Sequence, residues 1–224
     1  SYKDGEAKVP GFLDDYAALG IAFVDLYEAT SVVTHLEWAE RLTEGMLDLF
    51  WDERNGGFFY TAADHERLIT RTKPAHDGSV PSGNSLAAML CLRLHALTEN
   101  ERYASVAERV LRLYRGSMAE NPFAHAYLLA AVDFYARQPR EIVVVARGGR
   151  SAAADLLGPL ERSYQPNRVV VCYDPATPPA RVPPFARDKP LLESRPTAYV
   201  CHAGTCSAPV TDWNGLNRLV AEQA

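Results

Sequence analysis

The sequence predicts a mainly α protein: helices in an inner and an outer layer, forming part of a helical toroid over residues 1–139, then a small α/β region over residues 140–224. Two observations carry this. Five helical segments fill the stretch before Pro139, and they alternate between segments apolar on most sides and segments with one wet face. After Pro139 the texture changes to short β-branched runs around one helix-like stretch.

The elements follow in order. Residues 13–29 are apolar on most sides through Leu13, Tyr16, Leu19, Phe23, Val24 and Leu26, as a helix packed on both flanks should be. Residues 32–50 step by three and four through Leu36, Ala39, Leu42, Met46 and Leu49, with Glu37, Glu40, Arg41, Glu44 and Asp48 on another face. The contrast repeats. Residues 84–97 are apolar nearly all round, residues 101–118 are amphipathic through Tyr103, Val106, Val110 and Leu113, and residues 122–136 begin a third round as another buried helix. A weak self-similarity at an offset of 68 aligns Leu26 with Leu94, Ala39 with Ala107 and Arg41 with Arg109, in phase with the alternation. Helices 1, 3 and 5 are therefore expected inside and helices 2 and 4 outside. Between the first two pairs, Asn55-Gly56-Gly57 flanked by Phe58–Thr61 and Arg67–Thr70 predicts a small hairpin at one rim. Beyond residue 140, Ile142–Val145, a helix over 152–162 and Val169–Cys172 read as a β-α-β unit. A Pro-rich connection, a third strand at Thr197–Cys201 and a last helix capped near Thr211-Asp212 complete the chain.

Composition narrows the function classes. The 224 residues are 47% hydrophobic and 23% charged, ordinary globular usage. Lys and Arg number 23 against 28 Asp and Glu, and no basic run tracks a phosphate backbone, so no nucleic acid is expected as a partner. Charges such as Asp25, Arg93 and Asp133 interrupt every apolar stretch short of a membrane span, so no membrane partner is expected. Four cysteines suit a reducing, cytoplasmic setting. The polar opening at residues 1–8 lacks the core of a signal peptide and predicts a fragment.

Chemistry concentrates in Arg71-Thr-Lys73-Pro-Ala-His76-Asp77-Gly-Ser-Val-Pro81-Ser82-Gly83-Asn84-Ser85, which runs into the third helix. Ser82 is a natural N-cap. At the 68-residue offset Asp14 falls on Ser82 and Asp15 on Gly83, which puts both polar clusters at one rim, suited to a polyhydroxylated ligand. Capping alone is the competing reading of the same residues. His76 and His125 offer bases. Arg147-Gly148-Gly149-Arg150-Ser151 reads as a plain turn rather than a phosphate loop. Cys201-His202-Ala-Gly-Thr-Cys206 is expected to hold reduced structural thiols, with a redox disulfide pair or, with His202, a zinc site as alternatives.

The run Gly11–Ala17, Gly56-Gly57-Phe58-Phe59, Arg71-x-Lys73 with Asp77-Gly78-x-x-Pro81-Ser82-Gly83-Asn84-Ser85, and Ala198–Cys201 with Cys206 and Pro209–Asp212 resembles one family. It comprises thioredoxin-domain-containing, spermatogenesis-associated thioredoxin-like proteins, in which an N-terminal thioredoxin-like domain precedes an (α/α)6 toroid. The resemblance covers essentially the whole chain. It implies the C-terminal part of such a protein, with a toroid similar to that of N-acylglucosamine 2-epimerases and glycoside-processing enzymes, and hence a small polar, carbohydrate-like metabolite. It implies Asp14, Asp15 and Asp77 as catalytic carboxylates, and Tyr16, Arg71, Lys73, Ser82, Asn84 and Ser85 as substrate contacts, with no cofactor and no metal. Five helices cannot close a twelve-helix ring, so the expected partner is the remainder of the same protein or a complementary chain. From another class, the rival reading is a non-catalytic scaffold or redox-linked interaction module, with Cys201 and Cys206 as its redox candidates.

Overall fold

A computed structural model describes residues 2–64, 66 and 69–221. The chain is about half helical and divides into two compact units. The first holds residues up to Val24, 35–95 and 100–133; the second holds 25–34, 96–99 and 134 onward.

After a short antiparallel pair, β1 (Tyr2–Lys3) with β2 (Glu6–Ala7), the helices are α1 (Leu13–Thr30), α2 (Val33–Phe50), α3 (Gly83–Thr98) and α4 (Glu101–Leu113). A short α5 (Arg115–Glu120), a 3-10 turn at Pro122–His125 and α6 (Ala126–Arg137) follow. The helix expected over 101–118 thus breaks at Tyr114, and the one expected from 122 opens as a 3-10 turn with Pro122 at its first position, where a helix needs no N–H.

Burial follows the alternation most closely at α3. None of residues 83–98 is exposed, and Asn84, Ser85, Leu90, Cys91 and Leu94 are fully enclosed. By contrast α4 buries one stripe, Tyr103, Val106, Ala107, Val110 and Leu111, and wets the opposite face. Both amphipathic helices meet at Glu44 of α2, which accepts from the Tyr103 hydroxyl at 2.8 Å and the Arg102 guanidinium at 2.6 Å. The expectation for α1 needs correction. It buries only the stripe Leu13, Ala17, Gly20, Val24 and Tyr27, while Leu19 is 52% and Leu26 43% exposed. Likewise α6 exposes Ala126, Ala130, Tyr135 and Ala136, so only α3 of the three apolar helices is covered on all sides.

At the α1–α3 contact a Cβ on Gly20 would run into the Leu90 side chain, so glycine sets how closely the helices approach. The expected hairpin is a tighter device. Trp51 and Phe58 form an antiparallel bridge at the end of α2, with Gly56 and Gly57 at positive φ between them, while Tyr60 N–H donates to the Thr72 carbonyl. Arg67 and Leu68, assigned to its return arm, lie outside the described residues.

In the second unit the four-stranded sheet has the order β4 (Arg168–Tyr173), β3 (Arg140–Val145), β5 (Thr197–His202), β6 (Thr205–Cys206). Strands β3 and β4 are parallel, crossed by α7 (Ala154–Arg162), as the β-α-β pattern predicts, and β5 runs antiparallel to β3. One sheet face packs Ile142, Val144, Val170, Cys172, Ala198 and Val200 against Leu156, Leu157 and Leu160 of α7 and Leu216 and Val220 of α8 (Trp213–Ala221). No described helix is long and apolar enough to cross a membrane.

Candidate functional site

Helix N-termini carry a positive partial charge and amides without helical partners, so the starts of α1, α3 and α6 are where carboxylates and hydroxyls are needed. The segment 74–83 joins all three. Asp77 accepts Ser82 N–H on Oδ1 at 2.8 Å and, on Oδ2, the N–H groups of Tyr127 and Leu128 at 2.8 and 3.3 Å, which caps α6 from fifty residues away. Its own N–H donates to the Ala124 carbonyl at 2.7 Å. Ser82 caps α3 through Ser85 N–H at 3.2 Å, and the two hydroxyls lie 2.9 Å apart. Asn84, fully buried, accepts Phe58 N–H on Oδ1 at 2.8 Å and donates from Nδ2 to the Phe58 and Pro74 carbonyls, each at 2.9 Å.

Two cations assigned to the ligand are likewise committed. Lys73 donates to Asp52 Oδ2 at 2.6 Å and to the Gly56 carbonyl at 2.7 Å. Asp52 also accepts from Arg54 and Asn55, and the Lys73 ammonium, followed by Asn55, holds its carboxyl well below the usual carboxylate range. Arg71 donates to the Thr61 and Leu49 carbonyls and stacks over Phe59, 4.1 Å from the ring centre. Asp77, Ser82, Asn84, Ser85, Arg71 and Lys73 therefore all hold the frame. His125 is buried and donates from Nδ1 to the Ala75 carbonyl at 2.8 Å, while His76 stays exposed with its ring 6.5 Å away.

The start of α1 is different. Asp15 turns back to accept Phe12 N–H at 2.8 Å, half of a capping box. Tyr16 packs edge-on against Phe50, ring centres 5.3 Å apart. Asp14 points toward α3: a Cβ on Gly83 would meet its Oδ1 and lie 2.7 Å from Leu13 Cγ, so glycine lets the carboxyl in. Oδ1 is buried without a hydrogen-bond partner. Burial, then the neighbouring Asp15, raises the Asp14 carboxyl above its ordinary value, which the Gly83 amide only partly offsets. Tyr60, whose carbonyl accepts Leu13 N–H at 3.2 Å, has its phenol raised by burial and by Asp14 and Asp15. Its ring stacks on Phe12 at 5.0 Å between centres, tilted 15°. Sequence reasoning missed Tyr60 and Phe12, although Gly56-Gly57-Phe58-Phe59-Tyr60 ran directly into the site.

Two further expectations resolve in the second unit. Cys201 and Cys206, expected as reduced thiols, are joined by a disulfide, because strand register places them directly opposite each other on β5 and β6. The pair excludes the zinc alternative: both sulfurs are used and His202 donates from Nε2 to the Arg137 carbonyl at 2.9 Å. At Arg147–Ser151 the chain makes a turn, with Gly148 N–H held by Asp174 at 2.8 Å where a phosphate would need the amide.

A mainly helical unit whose helix starts gather acidic and aromatic side chains, followed by a small α/β unit, defines the class of protein. No protein-family model matches the chain. It is homologous to spermatogenesis-associated protein 20: over 213 residues, 94% of the chain, it is 33% identical to that protein of Homo sapiens and of Rattus norvegicus. An uncharacterized protein of Caenorhabditis elegans is 24% identical over 218 residues, 97% of the chain. The chain spans 27% of the length of the human and rat relatives and 29% of the nematode one.

Proposed function

We propose that the first unit is a segment of an (α/α)6 toroid whose rim binds a small carbohydrate-like metabolite and performs acid/base chemistry with Asp14. The observation that carries this reading is the buried, unpartnered Oδ1 of Asp14 at a helix start, beside an aromatic stack. A carboxyl raised by burial keeps its proton to higher pH and serves as a donor to a ring or leaving-group oxygen, and once ionised it takes a proton back. Asp15 supplies a second carboxyl next along the helix, and the Tyr60 phenol, raised in the same way, remains a hydrogen-bond donor. The faces of Phe12 and Tyr60 suit the C–H side of a sugar ring, and the positive ends of α1 and α3 favour the carboxylate that Asp14 becomes once it has given up its proton. The partnered residues Asp77, Asn84 and Lys73 keep these groups in place.

Thermal denaturation of the chain with a panel of neutral and N-acetylated monosaccharides tests the reading, since a ligand at a hundred times its Kd stabilises by about 2.7 kcal/mol. At least one sugar is expected to raise Tm, and Asp14→Asn to abolish that rise while folding normally. If no sugar shifts Tm, or if the shift survives Asp14→Asn, the reading falls and the rim is a scaffold.

A further inference from the structure

The hairpin that ends the sheet turns within two residues, Ala203 and Gly204, both at positive φ (49° and 76°), as a two-residue turn matched to strand twist requires. Left-handed backbone is rare for alanine, so this turn is closely specified. Register then aligns one row across three strands: Glu141 of β3 opposite Cys201 of β5, and Cys201 opposite Cys206 of β6. Opposite residues share a face, and it is the one turned away from the α7 and α8 core. Two environments meet in the disulfide, because Cys201 is 2% exposed whereas Cys206 is exposed. The Lys189 ammonium lies 3.5 Å from Cys206 Sγ and over the Tyr199 ring, 5.4 Å from its centre.

A cross-link between residues five apart, already paired by a tight turn, removes little freedom from the unfolded chain, so stapling alone explains it poorly. What the row does contain is an accessible sulfur beside a cation and an inaccessible sulfur whose residue is paired in register with an acidic one, Glu141. Thiol–disulfide exchange needs both, since a cation stabilises a thiolate and a proton carrier serves the sulfur that leaves.

We propose that Cys201–Cys206 is a redox-active disulfide that exchanges with an external dithiol, with Cys206 as the sulfur attacked, Cys201 as the resolving sulfur, Lys189 beside the Cys206 thiolate and Glu141 as proton carrier for Cys201. In the reductive direction a thiolate of the dithiol attacks Cys206 Sγ. The Cys201–Cys206 bond breaks, its electron pair goes to Cys201 Sγ, and that sulfur takes a proton from Glu141. The second sulfur of the dithiol then attacks the first, closing the dithiol to its own disulfide and releasing Cys206 as a thiolate next to Lys189. Two electrons pass to the protein, one proton rests on Cys201, and Glu141 is reprotonated from the proton the dithiol loses. Burial, followed by Glu99, pushes the Glu141 carboxyl up to about 7, with Lys189 and His202 acting in the opposite direction. Near neutrality it can therefore both give and take the proton.

The test follows native chain with dithiothreitol as the dithiol. Cys91 and Cys172 are buried, and burial pushes their thiols up to about 12 and about 11, so they report any unfolding by becoming reactive. Reduction is expected to expose one reactive thiol, Cys206, while Cys91 and Cys172 stay silent. Mass spectrometry of Cys201→Ser with glutathione disulfide should show a mixed disulfide on Cys206, whereas Cys206→Ser should show none. Lys189→Met should slow the reaction of reduced Cys206 at neutral pH about tenfold, as a thiol raised by one unit would. Glu141→Gln should remove an inflection near pH 7 from the rate of exchange. The proposal is overturned if the disulfide resists reduction until Cys91 and Cys172 also react, or if glutathione attaches to Cys201 rather than Cys206. Rates unchanged in both Lys189→Met and Glu141→Gln would overturn their assigned roles.

Discussion

Replacing Asp77 by alanine separates two readings of that carboxylate, because the sequence assigns it to chemistry and the structure gives it three backbone amides. The substitution strips the N–H groups of Tyr127 and Leu128 at the start of α6 and the N–H of Ser82 before α3. A lost helix cap costs about 1 kcal/mol and hydrogen bonds to a charged group contribute about 1.5–3 kcal/mol each, but the three share one carboxyl and water replaces part of the loss. A net destabilisation of about 2–4 kcal/mol is expected, which for a chain of this size lowers Tm by roughly 5–15 °C. Asp77→Asn keeps one acceptor oxygen and should lose about half as much. Differential scanning calorimetry of wild type, Asp77→Asn and Asp77→Ala measures the series, with sugar-induced Tm shifts recorded in parallel. A purely catalytic Asp77 predicts the reverse pattern, full stability with altered ligand response. A Tm for Asp77→Ala within about 1 °C of wild type would refute the capping account.

At Gly83, alanine would place its Cβ 2.7 Å from Leu13 Cγ and closer still to Asp14, so Gly83→Ala should destabilise by about 1–3 kcal/mol in thermal melts despite alanine's better helix propensity. A stabilised variant would contradict the close approach of α1 and α3. For Asp52, the Lys73 ammonium depresses the folded-state pKa below the unfolded value of about 3.9, so this carboxylate stabilises the fold above that pH and its contribution is lost as pH falls through the lower folded value. The Tm difference between wild type and Asp52→Asn should therefore hold steady from neutral pH to about pH 5, begin to narrow below about pH 4 and go on narrowing toward the lower folded value; a gap that does not narrow in acid would rule out the ion pair as its source.

Periodicity made the helices legible, because the 3.6-residue repeat is written in side chains a helix must bury whatever its neighbours are. The enclosure of α3 was legible for the same reason, since Arg93 is the one polar side chain in Leu86–Leu94 and a single residue makes no wet face. On α1 the composition misled: Leu19 and Leu26 are as apolar as Leu13, and hydrophobicity says which residues can be buried, not what arrives to bury them. The break at Tyr114 was missed because the apolar steps Val110, Leu113 and Met118 continue across it, although Gly116 and Ser117 just beyond it are poorer helix formers. Among the candidate site residues, Asp14 and Asp77 look alike in sequence, each an acidic residue near a helix start. What separates them is tertiary: Asp77 reaches a helix fifty residues on, whereas Asp14 faces the bare backbone of Gly83. The disulfide depended on a strand of two residues, Thr205–Cys206, too short for any pattern of alternation to reveal.

Connecting segments are usually where sequences lengthen, shorten and drift, since their backbones bond to water and owe nothing to their neighbours. The stretch from Pro74 to Gly83 has no such latitude. Its Pro74 and Ala75 carbonyls are taken by Asn84 and His125, its Asp77 amide by Ala124, and its Asp77 carboxylate by the first turn of α6. One inserted residue between Pro74 and Asp77 would slide every one of those bonds out of step at once. Selection on length should accordingly be as strict here as inside α3, and natural variants should change the identity of the unbonded Ser79 and Val80 side chains long before they change the number of residues between them and Lys73.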